Sequence, residues 1–399
     1  MECIASKWKA LSGIENNWNG LLDPIDDNLR RYLVQYGERI SAVNDCFNGV
    51  EQSDGYGLCL FPTEELFIRA GLELGNPFKY EVSDCFYARS EVEIGDWAKR
   101  QSAFMGYVAV ATDEGKLVLG RRDILICWRG TRLPIEWLKN INFCQTSAPE
   151  VFPGNNAKVH QGFLNVYTDK SANSVYSKTS AREQIYIISV VRRLVDKYSA
   201  LNEDVSITVV GHSLGGALAT LNAMDIVFNG YNKPSSSTSV VYPVTAFVYG
   251  CPRVGDKTFL ELFNSLPNLH LLRIRNNKDI VPDLPPDLII TRYSEVGVQL
   301  YINTQNSADI KTHTNVQSHD LNLHFYGIAA YQGEGNDFKL GFDFDVALVN
   351  KYDDLLNALY KVPPTWWTSV INKGLVQMEN GFWKLNDYIP PPPPDLILS

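Results

Sequence analysis

The chain has 399 residues, 45% of them hydrophobic and 20% charged, which suits one large α/β domain with additions, or two domains. Its formal net charge of −9 excludes the clustered basic surface that nucleic-acid binding needs, and leaves any lipid contact to local apolar surface rather than to bulk charge.

Met1 to Trp8 lacks a basic region followed by an apolar core, and Glu2 excludes N-myristoylation, so no secretory signal or acyl anchor is read. No apolar run approaches the ~20 residues of a membrane span. Seven cysteines, an odd number spread without paired spacing, predict reduced and mostly buried thiols in a cytoplasmic chain. No Cys/His cluster has metal-ligand spacing.

In chain order, the stretch Asn28 to Gly37 places Leu29, Tyr32, Leu33 and Tyr36 on one helical stripe, which predicts a helix packed on a core. A second helix is expected near Thr63, where Glu64 and Glu65 suit a first turn. Residues 1–75 are read as a helical wrap around a core of residues 76–345. From Gly106 the pattern changes. Gly106–Thr112 and Lys116–Gly120 flank Asp113-Glu114-Gly115, which reads as a hairpin with glycine at the turn. Ile124–Trp128 is a strand buried on both faces, ended by Arg129-Gly130-Thr131. Ser180-Ala-Arg-Glu183 is a capping box that opens a helix to about Tyr198, with Ile187, Val190, Val191 and Leu194 along one face. The β-branched run Val205–Val210, the apolar runs Thr245–Gly250 and Leu271–Arg275, and the helical stretches between them imply βαβ units and a mostly parallel central sheet. After residue 345, Pro363, Pro364, Trp366, Trp367 and Trp383 predict an extension, residues 346–389, packed on the core. Residues 390–399 form a proline-rich tail, expected to be extended and mobile.

The chemistry centres on Gly211-His212-Ser213-Leu214-Gly215, set between the strand and an Ala-rich helix running to about Phe228. A Gly-x-Ser-x-Gly turn in that context holds the serine on a strained corner above the sheet edge, and Gly211 and Gly215 leave room for neighbouring backbone. A serine needs a base and a carboxylate to orient that base, and in such sheets they follow in the order Ser, acid, His. Asp279, directly after the strand Leu271–Arg275, is the leading acid, with Asp283 and Asp287 as rivals. His319, on a loop just before a helical stretch, leads among the later histidines. His324 inside that helix reads as packed, and His313 as solvent-exposed. The Leu214 backbone N–H is the first oxyanion donor, and Thr131 at a strand end is the second candidate, an alternative being that it caps the next helix.

Four motifs occur together: Trp128-Arg129-Gly130-Thr131, Val159-His160-x-Gly162-Phe163, Gly211-His212-Ser213-Leu214-Gly215-Gly216-Ala217 and Cys251-Pro252-Arg253-Val254-Gly255-Asp256. With them the chain resembles the class 3 lipases. The opening from Gly13 to Pro24, together with Leu348–Lys351 and Asn372–Met378, is similar to plant phospholipase A1 of class II. The resemblance spans residues 5–387. It implies an α/β-hydrolase-like, mostly parallel sheet flanked by helices, with helical N- and C-terminal additions, and no cofactor or metal. It implies a Ser213, Asp279, His319 triad, an oxyanion hole at Thr131 and Leu214, and hydrolysis of the sn-1 acyl ester of phospholipids or related glycerolipids at a lipid interface. Cys251 where serine is commoner, and a proline-rich tail in place of a charged one, depart from the family pattern. The apolar Leu133, Ile135, Trp137, Leu138, Ile141 and Phe143 are expected to form a lid or acyl site within residues 133–155. Two other functions share these features: an acyltransferase, in which an alcohol replaces water, and a lipase-like signalling protein without catalysis.

Overall fold

The computed structural model describes residues 2–89, 102–131, 143–186, 190–237, 239–286, 292–367, 375–377, 383–385 and 388–393. Two helices open the chain, α1 (Glu2–Leu11) and α2 (Asp27–Asp45), followed by a short α3 (Leu66–Arg69). Then come β1 (Tyr80–Arg89), β2 (Ser102–Ala111), α4 (Asp113–Leu119) and β3 (Arg122–Trp128). A two-stranded ribbon, β4 (Gln145–Ser147) with β5 (Lys158–His160), leads into α5 (Gln161–Thr168), α6 (Ala181–Tyr186) and α7 (Val190–Ala200). The central run is β6 (Val205–His212), α8 (Leu214–Phe228), β7 (Val244–Tyr249), α9 (Lys257–Asn264), β8 (Leu269–Asn276), β9 (Val298–Ile302) and α10 (Leu321–Ala330). A second ribbon pairs β10 (Leu375–Gln377) with β11 (Trp383–Leu385).

The seven-stranded sheet has the order β1-β2-β3-β6-β7-β8-β9. The β1–β2 and β2–β3 pairs are antiparallel and the four pairs after them parallel. Each parallel strand is added on the same side of its predecessor, so the carboxyl ends of β3, β6, β7 and β8 share one edge. β3 and β7 are buried along their whole length, as apolar runs covered on both faces must be. This is the mostly parallel sheet that the alternation of runs predicts, flanked by helices in the α/β-hydrolase-like arrangement that the resemblance implies.

The hairpin expected at residues 106–120 is instead strand, helix, strand. Thr112 caps α4, its Oγ1 accepting from the Gly115 N–H at 3.1 Å, while Asp113 and Glu114 supply first-turn acids. Gly115 is a packing glycine rather than a turn glycine, because a Cβ there would stand 2.0 Å from the Lys79 carbonyl oxygen. The capping box at Ser180 is present in both directions: Ser180 N–H to Glu183 Oε2 at 3.0 Å, and Glu183 N–H to Ser180 Oγ at 3.2 Å. Val190, Val191 and Leu194 are buried beyond it, and Ile187 lies outside the described residues.

The stripe Leu29, Tyr32, Leu33 and Tyr36 on α2 is fully buried against β3, β6 and β7. The helix is also pinned by polar groups. Buried Asp123 on β3 accepts from Tyr36 Oη (2.8 Å), Tyr80 Oη (2.7 Å), Ser206 Oγ (2.7 Å), Thr208 Oγ1 (2.7 Å) and Arg121 Nη2 (3.3 Å). Such a network holds because every member is satisfied; removing one charged partner of a buried pair costs about 3–5 kcal/mol. At the other end of the chain, buried Lys351 donates to Asp45 Oδ2 at 2.8 Å and lies over the Trp367 ring at 4.2 Å, which fastens the C-terminal extension to α2. The tail is not wholly free. Pro390 is buried, and its carbonyl accepts from Tyr176 Oη at 2.6 Å. None of Cys46, Cys59, Cys85, Cys127, Cys144 and Cys251 forms a disulfide among the described residues, and of these six Cys144 alone is exposed. No helix among the described residues is long and apolar enough to cross a membrane.

Candidate active site

The turn from β6 into α8 folds Ser213 into φ 58°, ψ −128°, a conformation that a side chain rarely adopts. Two close approaches enforce it. A Cβ on Gly211 would lie 2.1 Å from the Gly215 carbonyl oxygen, and one on Gly215 would lie 2.5 Å from that of Trp128. The Ser213 N–H donates to the Tyr249 carbonyl at 2.9 Å, tying the turn to the end of β7. α8 begins at Leu214, so its first N–H groups have no partner within the helix and face the serine.

Asp279 follows β8. Its Oδ1 accepts from the Val281 N–H at 3.0 Å, and both of its oxygens meet His319 Nδ1, at 3.0 and 2.9 Å. Asp279 and His319 are buried, and His319 stands on a 3-10 turn, Gln317–His319, at the foot of α10. Asn276, the last residue of β8, donates to the Ser318 carbonyl at 3.0 Å and fixes that turn to the sheet edge. Ser213 Oγ and His319 Nε2 are both buried without a hydrogen-bond partner among the described residues. Gly250 sets the Asp279–His319 pair against the strand end that holds Ser213. It follows Tyr249, whose carbonyl holds Ser213, and a Cβ on it would lie 2.8 Å from Asp279 Oδ2, His319 Cε1 and His319 Nδ1. The strand-end segment after β3 adjoins the same turn, since a Cβ on Gly130 would lie 2.7 Å from the His212 carbonyl and 3.5 Å from Ser213 Cβ. Thr131 follows directly, and its hydroxyl is buried and has no partner among the described residues.

The class 3 lipase family matches residues 125–289, which contain the serine, the aspartate and Thr131. Phospholipase A1-II 1 of Oryza sativa subsp. indica is 42% identical, covering 96% of this chain and 97% of its own. Phospholipase A1-II 4 of Oryza sativa subsp. japonica is 44% identical, with 96% of each chain covered. Phospholipase A1-IIgamma of Arabidopsis thaliana is 40% identical over 96% of this chain and 93% of its own. The chain belongs to the phospholipase A1-II family of class 3 lipases. Among solved structures, Lip2 lipase from Yarrowia lipolytica has 19% identity and a TM-score of 0.47, with 71% of this chain and 84% of that chain covered.

Around this phospholipase A1-II site the rival residues sort themselves. Asp283 is spoken for at the surface, where it accepts from Arg275 Nη2 at 2.7 Å, and Asp287 lies outside the described residues. His313, expected to be exposed, is buried: Nε2 meets Thr304 Oγ1 at 3.2 Å and Gln305 Nε2 at 2.7 Å, two polar partners that follow β9. His324 is packed, as its place in a helix predicts. His212 donates from Nε2 to the His319 carbonyl at 2.8 Å, and burial holds its pKa well below the ordinary value, so it braces His319 as a neutral ring. Arg129 does not face the serine. Its Nε donates to the Phe104 carbonyl at 2.8 Å and its guanidinium covers the Phe47 ring at 4.0 Å, which anchors Gly130 and Thr131. Of the expected lid, Leu133, Trp137, Leu138 and Ile141 lie outside the described residues. Phe143 is half-buried, and its carbonyl accepts from Tyr293 Oη at 3.0 Å. No group of His, Cys, Asp and Glu among the described residues is arranged to hold a metal ion.

Gly250 and Asn276 escape a motif search, because each acts by position in the fold. For Gly250 the traces in the sequence are its place at the end of an apolar strand and, in the structure, φ +52°. Gly250→Ala is expected to shift the Asp279–His319 pair and lower kcat about 10- to 100-fold with KM nearly unchanged, since misplacement by about 1 Å has that scale of effect. Steady-state kinetics beside a melting curve will separate this from unfolding.

Proposed function

We propose that this chain hydrolyses the sn-1 acyl ester of phospholipids or related glycerolipids, with Ser213 as nucleophile, His319 as base and Asp279 as the carboxylate that orients it. The observation that carries the reading is the buried Asp279–His319 pair, packed against Gly250 at the end of the strand whose Tyr249 carbonyl holds Ser213, with His319 Nε2 and the Ser213 hydroxyl both unpartnered among the described residues. Asp279 accepts a hydrogen bond from Nδ1–H, which leaves the lone pair of the neutral ring on Nε2. That nitrogen takes the Ser213 proton as Oγ bonds to the ester carbonyl carbon. The carbonyl oxygen becomes an oxyanion, and the Leu214 N–H together with the Thr131 N–H and hydroxyl stabilise it. Collapse breaks the ester bond, His319 returns the proton to the departing glycerol oxygen, and the acyl group stays on Ser213. Water then repeats the sequence and releases the fatty acid.

A serine-directed fluorophosphonate probe with peptide mapping tests this reading, followed by phosphatidylcholine carrying different acyl chains at its two positions. Labelling confined to Ser213 and release of the sn-1 acid are expected. Labelling elsewhere, or none in the presence of dispersed lipid, would sink it, and release from sn-2 would remove the positional assignment.

A further inference from the structure

Beside the Asp279 carboxylate stands a second histidine. His324, in the first turn of α10, is buried, with Nε2 3.7 Å from Asp279 Oδ2. Its Nδ1 lies 2.8 Å from the Asp320 carbonyl oxygen. A carbonyl oxygen only accepts, so a contact this short puts the proton of the neutral ring on Nδ1. Nε2 then carries a lone pair, has no hydrogen-bond partner among the described residues, and faces an oxygen that is itself an acceptor. A separation of 3.7 Å is too long for a hydrogen bond and suits two acceptors held apart.

We propose that His324 is a positioning residue that acts through Asp279 and is switched by a proton on its Nε2. The inference rests on the reading that Asp279 orients His319. While His324 is neutral, its lone pair keeps Oδ2 turned towards His319 Nδ1, 2.9 Å away. One proton taken from solvent makes Nε2 a charged donor aimed at the same oxygen. Oδ2 is then shared between two imidazoles, and the new cation opposes the positive charge that His319 must take up when it accepts the serine proton. Protonated His324 therefore weakens the base.

Four titratable neighbours bear on this ring. Asp279 faces it from the loop after β8, His319 from the turn before α10, and His212 from the end of β6 with ring centres 5.9 Å apart. Asp320, on its own helix, supplies the carbonyl. Burial lowers the His324 pKa, Asp279 raises it and His319 lowers it, so the proton enters on the acid side of the ordinary histidine range. The Asp320 carboxyl, which burial pushes up to about 6, titrates nearby and needs its own control.

The test is kcat/KM against pH, over about pH 4 to 9, for the wild type, His324→Phe and Asp320→Asn, the last of which keeps a capping side chain. In the wild type, the acid limb is expected to steepen from a slope of about one to about two, the mark of two protons. In His324→Phe the slope stays near one, and plateau kcat falls roughly three- to tenfold with KM unchanged. Asp320→Asn is expected to keep the wild-type shape. Should the phenylalanine variant fail to accumulate, His324→Gln, which also cannot titrate, takes its place. Imidazole nitrogen NMR of the wild type reads the tautomer directly, and the His324 proton is expected on Nδ1 at neutral pH. Superimposable acid limbs for wild type and His324 variant, steepness lost in Asp320→Asn instead, or a neutral ring with its proton on Nε2 would each overturn the proposal. Asp279→Asn separates the two levels. If it is inactive while the His324 variant titrates like wild type, only the role of His324 fails; if it is fully active, the reading of Asp279 fails with it.

Discussion

Asp279→Asn is expected to lower kcat about 10⁴-fold while leaving the fold intact. The argument lies in which oxygen can be replaced. The Val281 N–H donates to Oδ1, so the amide of an asparagine must keep its oxygen there and turn its nitrogen to the Oδ2 position, 2.9 Å from His319 Nδ1. An amide nitrogen only donates, so it opposes an Nδ1–H, leaves Oδ1 at 3.0 Å as the sole acceptor there, and favours the tautomer with a lone pair at Nδ1 and the proton on Nε2. The ring is then neutral and well placed, yet its basic lone pair points away from Ser213. Single-turnover kinetics with a soluble ester, compared at matched enzyme concentration, will show the loss in acylation rather than in binding. A fall of less than tenfold would mean that Asp279 does not set the tautomer.

Ser213→Ala removes the nucleophile and is expected to lower kcat by more than ~10³-fold, with residual turnover from the oxyanion donors and substrate binding. Ser213→Gly should lose activity to the same degree and gain stability. The serine holds φ 58°, strain of about 1–3 kcal/mol for a residue with a Cβ, and glycine adopts that angle freely. A melting temperature that rises in the glycine variant but not in the alanine variant is the expected pattern. Equal melting temperatures in all three proteins would mean that the turn stores no strain.

Much of the candidate site is legible because its residues stand at chain landmarks. Ser213 sits between a β-branched run and a small-residue helix, Asp279 follows a strand, and His319 precedes a helix, so local pattern and chain order put these three first, with Asp283 and Asp287 as rivals for the acid. The misread places share a different character. At Asp113-Glu114-Gly115 a turn-like triplet outweighed the Thr112 cap and the first-turn acids, and the contact that requires Gly115 comes from Lys79, on a segment that the local pattern does not display. His313 looked exposed in a run of polar residues, but Thr304 and Gln305 fold back to satisfy it. Pro390 looked free because its partner, Tyr176, is 214 residues away. Gly250 and His324 take their meaning from the Asp279 carboxylate, which no local window contains.

The fastening of α2 also bears on how the chain is made. Arg30 donates to the Ile328 carbonyl, 298 residues further on, and the helix that carries Leu29, Tyr32, Leu33 and Tyr36 packs on strands and a helix built after it. At ribosomal rates that delay is roughly 15–60 s. For that interval the nascent polypeptide carries an amphipathic helix whose packing partners are incomplete, a surface suited to holding by a chaperone. A transcript cut short before α10 would leave Arg30 without the Ile328 carbonyl for good, so quality control has a reason to act on the amino-terminal end of a chain whose defect lies at the other.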